Sequence, residues 1–193
     1  MNKKEASVKD LSGLNDMELV QLAVRGKNEA FEQIVVKYQG QIARTVIGML
    51  GETDEADDVG QETFIRFYRS LKKFRGDASL GTYLTRIAIN LSLNELKKRK
   101  KTFSLFSGRE VGRKVTEIIE KEDAFDRTDS KELVDLALEQ LEPAFRSVVV
   151  LRMLRGFSTR ETADMLNIPL GTVLSRLSRA QKQMKEILTP IIQ

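Results

Sequence analysis

The sequence predicts an all-α protein of two small helical domains joined by a flexible linker. Apolar residues recur at steps of three and four along most of the chain, and no segment alternates with the two-residue period of a strand. This periodicity fades between residues 102 and 129, where Ser, Gly and charged side chains mix. The predicted boundaries are an N-terminal extension at 1–14, a first domain at 15–101, a linker at 102–129 and a second domain at 130–193.

Capping and glycine signals define the first two helices. Asn15, followed three residues later by Glu18, is a capping-box pattern, and the apolar stretch behind it ends at Gly26. The sequence therefore predicts a short helix there. A second, longer helix begins after Asn28 and carries a continuous apolar stripe until Gly51. Most of that stripe is expected to face the core.

Two further helices complete the first domain. Thr53 can cap a third helix, in which acidic residues come first and basic residues follow. Residues 74–77 are interpreted as its exit loop. A fourth helix runs from about Ser79 into the basic run at 97–101, whose side chains can bind phosphates. Four helices joined by short loops predict one compact domain.

The second domain starts with two helices that meet at a proline. Apolar residues at helical spacing return near Leu133 and stop at Glu142. Pro143 then occupies a first-turn position, where a missing N–H and a fixed φ are tolerated. A new helix is therefore expected to begin at that proline.

The end of the chain has a helix-turn-helix pattern. Ser158 and Glu161 form a second capping box, which opens a short helix at 159–166. The residue before Pro169 avoids helical backbone angles, so a tight turn follows. A last helix is predicted at 171–188. In such an arrangement the second helix enters the major groove of DNA.

The last helix has a polar face that suits DNA. Between residues 144 and 185 eight basic residues stand against two acidic ones. Arginine can bind guanine O6 and N7 in a bidentate manner, while serine and lysine can hold phosphates. The candidates for DNA contact on this helix are Thr172, Ser175, Arg176, Arg179 and Lys182. A solvated basic face on a purely structural helix is the alternative.

Composition argues against most enzymes. The chain has no Cys and no His, which excludes thiol nucleophiles, zinc-finger sites and imidazole catalysis. A metal-dependent enzyme is one alternative, because the third helix carries an acidic cluster of Glu55, Asp57, Asp58 and Glu62, although di-iron bundles add Glu-x-x-His motifs. We therefore expect no catalytic residues, no metal and no cofactor. Since no segment is apolar enough to cross a membrane, a cytoplasmic protein without membrane insertion is expected.

Both domains resemble extracytoplasmic-function sigma factors of bacterial RNA polymerase. The C-terminal domain resembles region 4 of that family in these residues: Leu141, Glu142, Pro143, Arg146, Val149, Leu151, Gly156, Phe157, Ser158, Glu161, Thr162, Ala163, Ile168, Pro169, Gly171, Thr172, Val173, Ser175, Arg176, Leu177, Arg179 and Ala180. The N-terminal domain resembles region 2 in these: Ala30, Phe31, Asp57, Asp58, Gln61, Glu62, Thr63, Phe64, Tyr68, Phe74, Arg75, Gly76, Asp77, Thr82, Leu84, Arg86, Ile87, Ala88 and Asn90. The two patterns occur in the family's order.

The resemblance implies an alternative sigma factor that directs promoter-specific transcription. Region 2 would dock on the clamp helices of the largest subunit of RNA polymerase core through Asp57, Asp58, Gln61, Glu62 and Ile65. It would also read and open the −10 element through Phe74, Tyr83, Arg86, Asn90, Lys97 and Lys98. Region 4 would read the −35 element and contact the polymerase flap. The resemblance also implies an anti-sigma factor as a partner.

Two positions depart from the family pattern. The family usually has Trp where this chain has Tyr83, and usually has Lys or Arg where it has Leu174. Leu174 can touch a thymine methyl group or pack against protein, and the sequence leaves both open. An autonomous helix-turn-helix regulator is the alternative function, but it leaves the acidic-to-basic polarity of the third helix unexplained.

Overall fold

The computed structural model describes residues 11, 13–106 and 130–192, and every regular element in those ranges is helical. The α-helices are α1 (Asp16–Val24), α2 (Asn28–Leu50), α3 (Asp54–Ser70), α4 (Leu80–Phe106), α5 (Ser130–Gln140), α6 (Pro143–Val149), α7 (Thr159–Leu166) and α8 (Leu170–Ile192). A 3₁₀ turn at Leu71–Lys73 follows α3, and a π-helical turn at Val150–Leu154 follows α6. The all-α prediction is confirmed.

Side-chain caps start the helices at the positions predicted. Asn15 accepts a hydrogen bond from the Glu18 N–H at 3.0 Å, and the Glu18 carboxylate accepts one from the Asn15 N–H at 2.8 Å. Ser158 and Glu161 form the same reciprocal pair ahead of α7. Thr53 accepts from a backbone N–H of the first turn of α3 at 3.3 Å. Each cap satisfies N–H groups that have no partner inside the helix.

The N-terminal part is a bundle around α2, which packs against α1, α3 and α4. The large apolar side chains of its core are almost inaccessible to solvent; they include Ile34, Ile42, Met49, Phe67, Leu84 and Ile89. Burying one such side chain contributes about 1.5–3 kcal/mol to folding. Because α2 lies at the centre, α3 and α4 each keep an exposed side, with Asp58 and Gln61 on α3 and Arg86 and Asn90 on α4.

The C-terminal part contains the helix-turn-helix. Val148, Ala163 and Val173 form a small core between α6, α7 and α8. The turn between α7 and α8 uses Asn167, which adopts the left-handed conformation at φ 51°. Asparagine tolerates that conformation better than most residues, so it ends α7 sharply.

One feature of this part was not predicted. The backbone N–H of Arg155 donates to the carbonyl of Val150, five residues earlier, so the chain after α6 widens into a π turn. The periodicity alone predicted an ordinary continuation of the helix. Gly156, at φ 72°, then ends the segment.

The N-terminal and C-terminal parts pack against each other. Val150, on the π turn, and Met49, on α2, belong to the same buried cluster. The guanidinium of Arg146 is buried, and it donates to the carbonyls of Met49 at 2.7 Å and Leu141 at 3.2 Å. It also donates to the carbonyl of Glu139. Arg146 therefore joins the end of α2 to the end of α5.

The predicted linker at 102–129 overlaps the end of helix α4. Helix α4 continues to Phe106, so its last residues fall inside that segment. Residues 107–129 and most of the predicted extension at 1–14 lie outside the described residues. The boundaries of the two domains therefore stay predictions.

Candidate nucleic-acid interface

Helix α8 presents the polar face that its sequence predicts. Val173 and Ala180 are fully buried against the rest of the helix-turn-helix. Ser175, Arg179 and Lys182 are exposed, about half a turn away from them. Arg179 carries no ion pair in the described part of the chain, so its guanidinium is free to donate to an incoming partner.

The other predicted members of this face are less free. Thr172 and Arg176 are half-buried on its flanks. The Ser175 hydroxyl donates to the carbonyl of Thr172 at 3.1 Å, which leaves its oxygen as an acceptor. The Nζ atom of Lys182 lies 3.8 Å from Oε1 of Glu186. Because both side chains are well exposed, this ion pair contributes little to stability, and Lys182 can leave it to contact a partner.

A second candidate face runs along α4. Arg86 and Asn90 are exposed and four residues apart, which places them on the same side of the helix. The Asn90 amide makes no hydrogen bond within the described residues, so it does not cap a local carbonyl. Lys97 and Lys98 are exposed further along, and Lys98 pairs with Glu95 at 2.9 Å.

The aromatic residues near this face pack against each other. Phe74 and Tyr83 meet edge to face, with ring centroids 5.2 Å apart. Phe67, which is fully buried, lies beneath both, at 6.2 Å from Phe74 and 5.9 Å from Tyr83. Phe74 and Tyr83 remain half-exposed. The three rings thus form an aromatic cluster beside the start of α4, in which Phe74 and Tyr83 remain accessible to a partner.

The acidic surface lies on α3. Asp57, Asp58, Gln61 and Ile65 are exposed, and Glu62 is half-exposed and pairs with Arg66 at 2.8 Å. A shallow groove of about 330 Å³ separates this surface from α2. Its lining combines apolar side chains with two of the predicted docking residues: Val35, Gln39, Ile42, Ala43, Ile47, Ala56, Asp57, Gly60, Gln61 and Phe64.

Sequence reasoning missed the part played by Arg99. The basic run at 97–101 was interpreted as a phosphate-binding cluster, but Arg99 bonds to the Leu50 carbonyl at 3.2 Å and to the Glu55 carboxylate at 3.1 Å. Together with the Glu55 backbone N–H and the Thr53 hydroxyl, Arg99 holds the pKa of Glu55 below its ordinary value. Only the spatial approach of α4 to the start of α3 reveals this link.

The described residues contain no cluster of three or more His, Cys, Asp or Glu arranged to bind a metal. Two of the carboxylates considered for a metal site, Glu55 and Glu62, instead pair with arginines. No helix among the described residues is long and apolar enough to span a bilayer.

Comparisons with known proteins match both parts of the chain. The family model described as Sigma-70 region 2 matches residues 34–102, and the model described as Sigma-70, region 4 matches residues 131–184. The RNA polymerase sigma-H factor of Pseudomonas aeruginosa is 34% identical, over 92% of this chain and 95% of its own length. The ECF RNA polymerase sigma-E factor of Escherichia coli K12 is 33% identical, over 93% and 97%.

Among solved structures, the chain is similar to the sigma factor RpoE of Bartonella quintana, crystallised with the anti-sigma factor NepR. The TM-score is 0.65 at 20% identity, and the match covers 82% of this chain and 96% of the other. At that identity the likeness supports the fold.

Proposed function

This chain belongs to the extracytoplasmic-function family of sigma factors, and from that membership we propose how its exposed surfaces divide the work of promoter recognition. It is an alternative sigma factor, which binds RNA polymerase core and directs transcription to specific promoters. An autonomous operator-binding regulator is not favoured, because the region 2 match accounts for the N-terminal bundle.

Helix α8 reads the −35 element. The observation that carries this assignment is an exposed polar face on the second helix of a helix-turn-helix, opposite an apolar stripe in which Val173 and Ala180 are fully buried. Arg179 lies on that face and forms no ion pair with any residue that the structure describes, so it can offer two N–H groups to guanine. Ser175 and Lys182 form hydrogen bonds with the phosphate backbone of the DNA and so fix the position of α8 along the duplex. Thr172 and Arg176 lie at the flanks of this face.

Helix α4 reads the −10 element after the strands separate. Asn90 presents one acceptor and two donors to a base edge. The half-exposed rings of Phe74 and Tyr83 offer aromatic surface on which unstacked bases can stack. Arg86, Lys97 and Lys98 hold the phosphates that follow, and this contribution depends on salt.

The acidic surface of α3 docks on the polymerase core. Asp57, Asp58 and Gln61 approach a basic partner, while Ile65 and the apolar lining of the α2–α3 groove supply buried area. Glu62 forms an exposed ion pair with Arg66, and on docking it binds a basic side chain of the polymerase core instead. Sigma region 4 contacts the flap of the polymerase.

The two halves must separate to bind both promoter elements. The −10 and −35 elements are centred about 25 base pairs apart, which is roughly 85 Å of duplex. A compact chain of 193 residues has a diameter on the order of 40 Å. Fully extended, residues 107–129 can reach at most about 80 Å, so the chain is long enough for the halves to part.

The protein acts without catalysing a reaction of its own, in the cytoplasm, where polymerase and promoters are found. An anti-sigma factor binds it and holds it inactive. RpoE of Bartonella quintana, which has a similar fold, was crystallised in complex with the anti-sigma factor NepR. The acidic α3 surface and the adjoining groove are where such an inhibitor competes with core.

Charge reversal tests the docking surface. Fluorescently labelled Glu62→Lys is titrated with core polymerase at moderate salt, beside Glu32→Lys, which makes the same charge change on an exposed position of α2. Glu62→Lys is expected to weaken core binding at least tenfold and Glu32→Lys to leave it unchanged, with −35 discrimination preserved in both. Equal core affinities for the two variants would place the docking surface elsewhere.

A further inference from the structure

Two leucines near the start of helix α8 are half-exposed to solvent. Leu170 is 48% exposed and Leu174 is 51% exposed, although Val173 between them is fully buried. Single exposed leucines are common on proteins and carry no meaning alone. These two stand on the helix that is proposed to enter the major groove, in its first two turns.

Leu174 is only half covered by the rest of the protein. Successive residues of an α-helix are turned by about 100°, so Leu174 lies between the buried direction of Val173 and the solvent direction of Ser175. Half of its surface remains open, so packing against the protein leaves part of the side chain free to contact a partner. The side chain is aimed along the edge of the DNA-reading face.

The backbone around Leu174 allows a close approach to base pairs. Gly171, one turn earlier, is exposed, and no atom lies within 4 Å of the position of a Cβ there. Ser175 and Ser178 are the next exposed residues, and both are small. The N-terminal turns of the second helix are the part of a helix-turn-helix that reaches base edges. A four-carbon side chain next to Gly171, Ser175 and Ser178 therefore has room to reach a base edge.

The chemistry of the groove identifies what an apolar side chain can recognise there. Leucine neither donates nor accepts hydrogen bonds, so it gains nothing from guanine, adenine or the cytosine amino group. The C5-methyl group of thymine is the apolar feature of the major-groove edge. We infer that Leu174 is a specificity residue that contacts the C5-methyl group of a thymine in the −35 element.

This inference rests on the proposed reading of the −35 element by α8 and makes it more specific to this chain. Where Leu174 stands, the family usually has Lys or Arg, which bind phosphate or guanine. The replacement removes a positive charge and adds an apolar contact. The −35 preference of this protein therefore includes a thymine whose methyl group matters.

Deoxyuridine substitution tests the contact, because deoxyuridine differs from thymidine only in lacking the C5-methyl group. The −35 element is first selected from random DNA with holoenzyme assembled from core and the full chain. Each thymine of the selected element is then replaced by deoxyuridine, one at a time, and holoenzyme affinity is measured. Wild type is expected to lose about fourfold at one position, the effect of removing one buried methyl group.

Variants assign that loss to the side chain. Leu174→Ala is expected to bind the thymine and deoxyuridine forms equally, while still rejecting changes at guanines read by Arg179. Val36→Ala, which trims an aliphatic residue 62% exposed on α2, is expected to keep the wild-type difference.

Two results overturn the inference. One is a selected element in which no deoxyuridine substitution affects wild type, and the other is a Leu174→Ala protein with the wild-type thymine preference. In both cases Arg179-dependent discrimination can persist, so the reading of −35 by α8 survives. If holoenzyme discriminates no −35 sequence from scrambled DNA, the proposed function of α8 fails together with the inference.

Discussion

Gly48 on α2 controls how closely the two halves of the protein approach. A Cβ placed on Gly48 lies 3.2 Å from Cγ2 of Val150 and 3.5 Å from Cδ1 of Leu154, both on the π turn. A methyl group there already requires a small shift of Val150. The larger side chain of Gly48→Leu has no space while the halves are packed, so it acts as a wedge between them.

The size of the effect follows from this overlap. Adding several carbons to a well-packed contact costs about 1–3 kcal/mol. Because the clash exists only when the halves touch, the variant raises the ratio of separated to packed molecules by about 5- to 150-fold. Gly40→Leu is the matched control, since Gly40 lies on the same helix and is exposed. Both variants gain the same helix propensity, about 1 kcal/mol.

The separation can be measured by energy transfer between two dyes. The native chain has no cysteine, so cysteines introduced at exposed Gln33 and Lys185 label one site in each half. Gly48→Leu is expected to populate a low-transfer state and Gly40→Leu to match the parent protein. Identical transfer in all three, with circular dichroism showing intact helices, would refute the reasoning that Gly48 sits in a contact between the halves.

Three substitutions test individual contacts with DNA. Arg179→Ala is expected to weaken −35 recognition by about 1–3 kcal/mol and relax base preference, and equal losses on specific and scrambled sequences would make Arg179 a phosphate contact. Lys182→Ala should leave preference intact and lower the slope of log affinity against log salt by about 1, as measured by titration at several salt concentrations. Asn90→Ala is expected to lose about 1–3 kcal/mol at one −10 position in open-complex assays on single-base variants, with core binding unchanged; an unaltered sequence preference would contradict its role.

Local chemistry explains why the helix limits were predictable. The capping pairs Asn15 with Glu18 and Ser158 with Glu161 act within three residues of the chain, so their pattern can be read without tertiary information. The buried stripe of α8 likewise follows from the 3.6-residue period. The resemblance to sigma regions 2 and 4 was confirmed by the family matches.

Long-range contacts were not predictable from the same signals. Arg146 was recognised as part of the family pattern, but its hydrogen bond to the Met49 carbonyl joins residues 97 positions apart. Arg99 belongs to a run that the sequence predicts to bind phosphates, whereas its partners lie at the end of α2 and the start of α3. The π turn after α6 also could not be predicted, because the spacing of apolar residues there is that of an ordinary α-helix. The contacts assigned to the remaining site residues stay predictions.

Run-off transcription on fragmented genomic DNA tests the central claim most directly. Core polymerase alone, core with the protein and core with Glu62→Lys are compared, and the 5′ ends of the transcripts are mapped. The protein is expected to direct discrete transcripts from start sites that share −35 and −10 elements, and Glu62→Lys to produce few. Tight, sequence-specific DNA binding by the isolated protein, combined with no new transcripts when core is present, would contradict its assignment as a sigma factor.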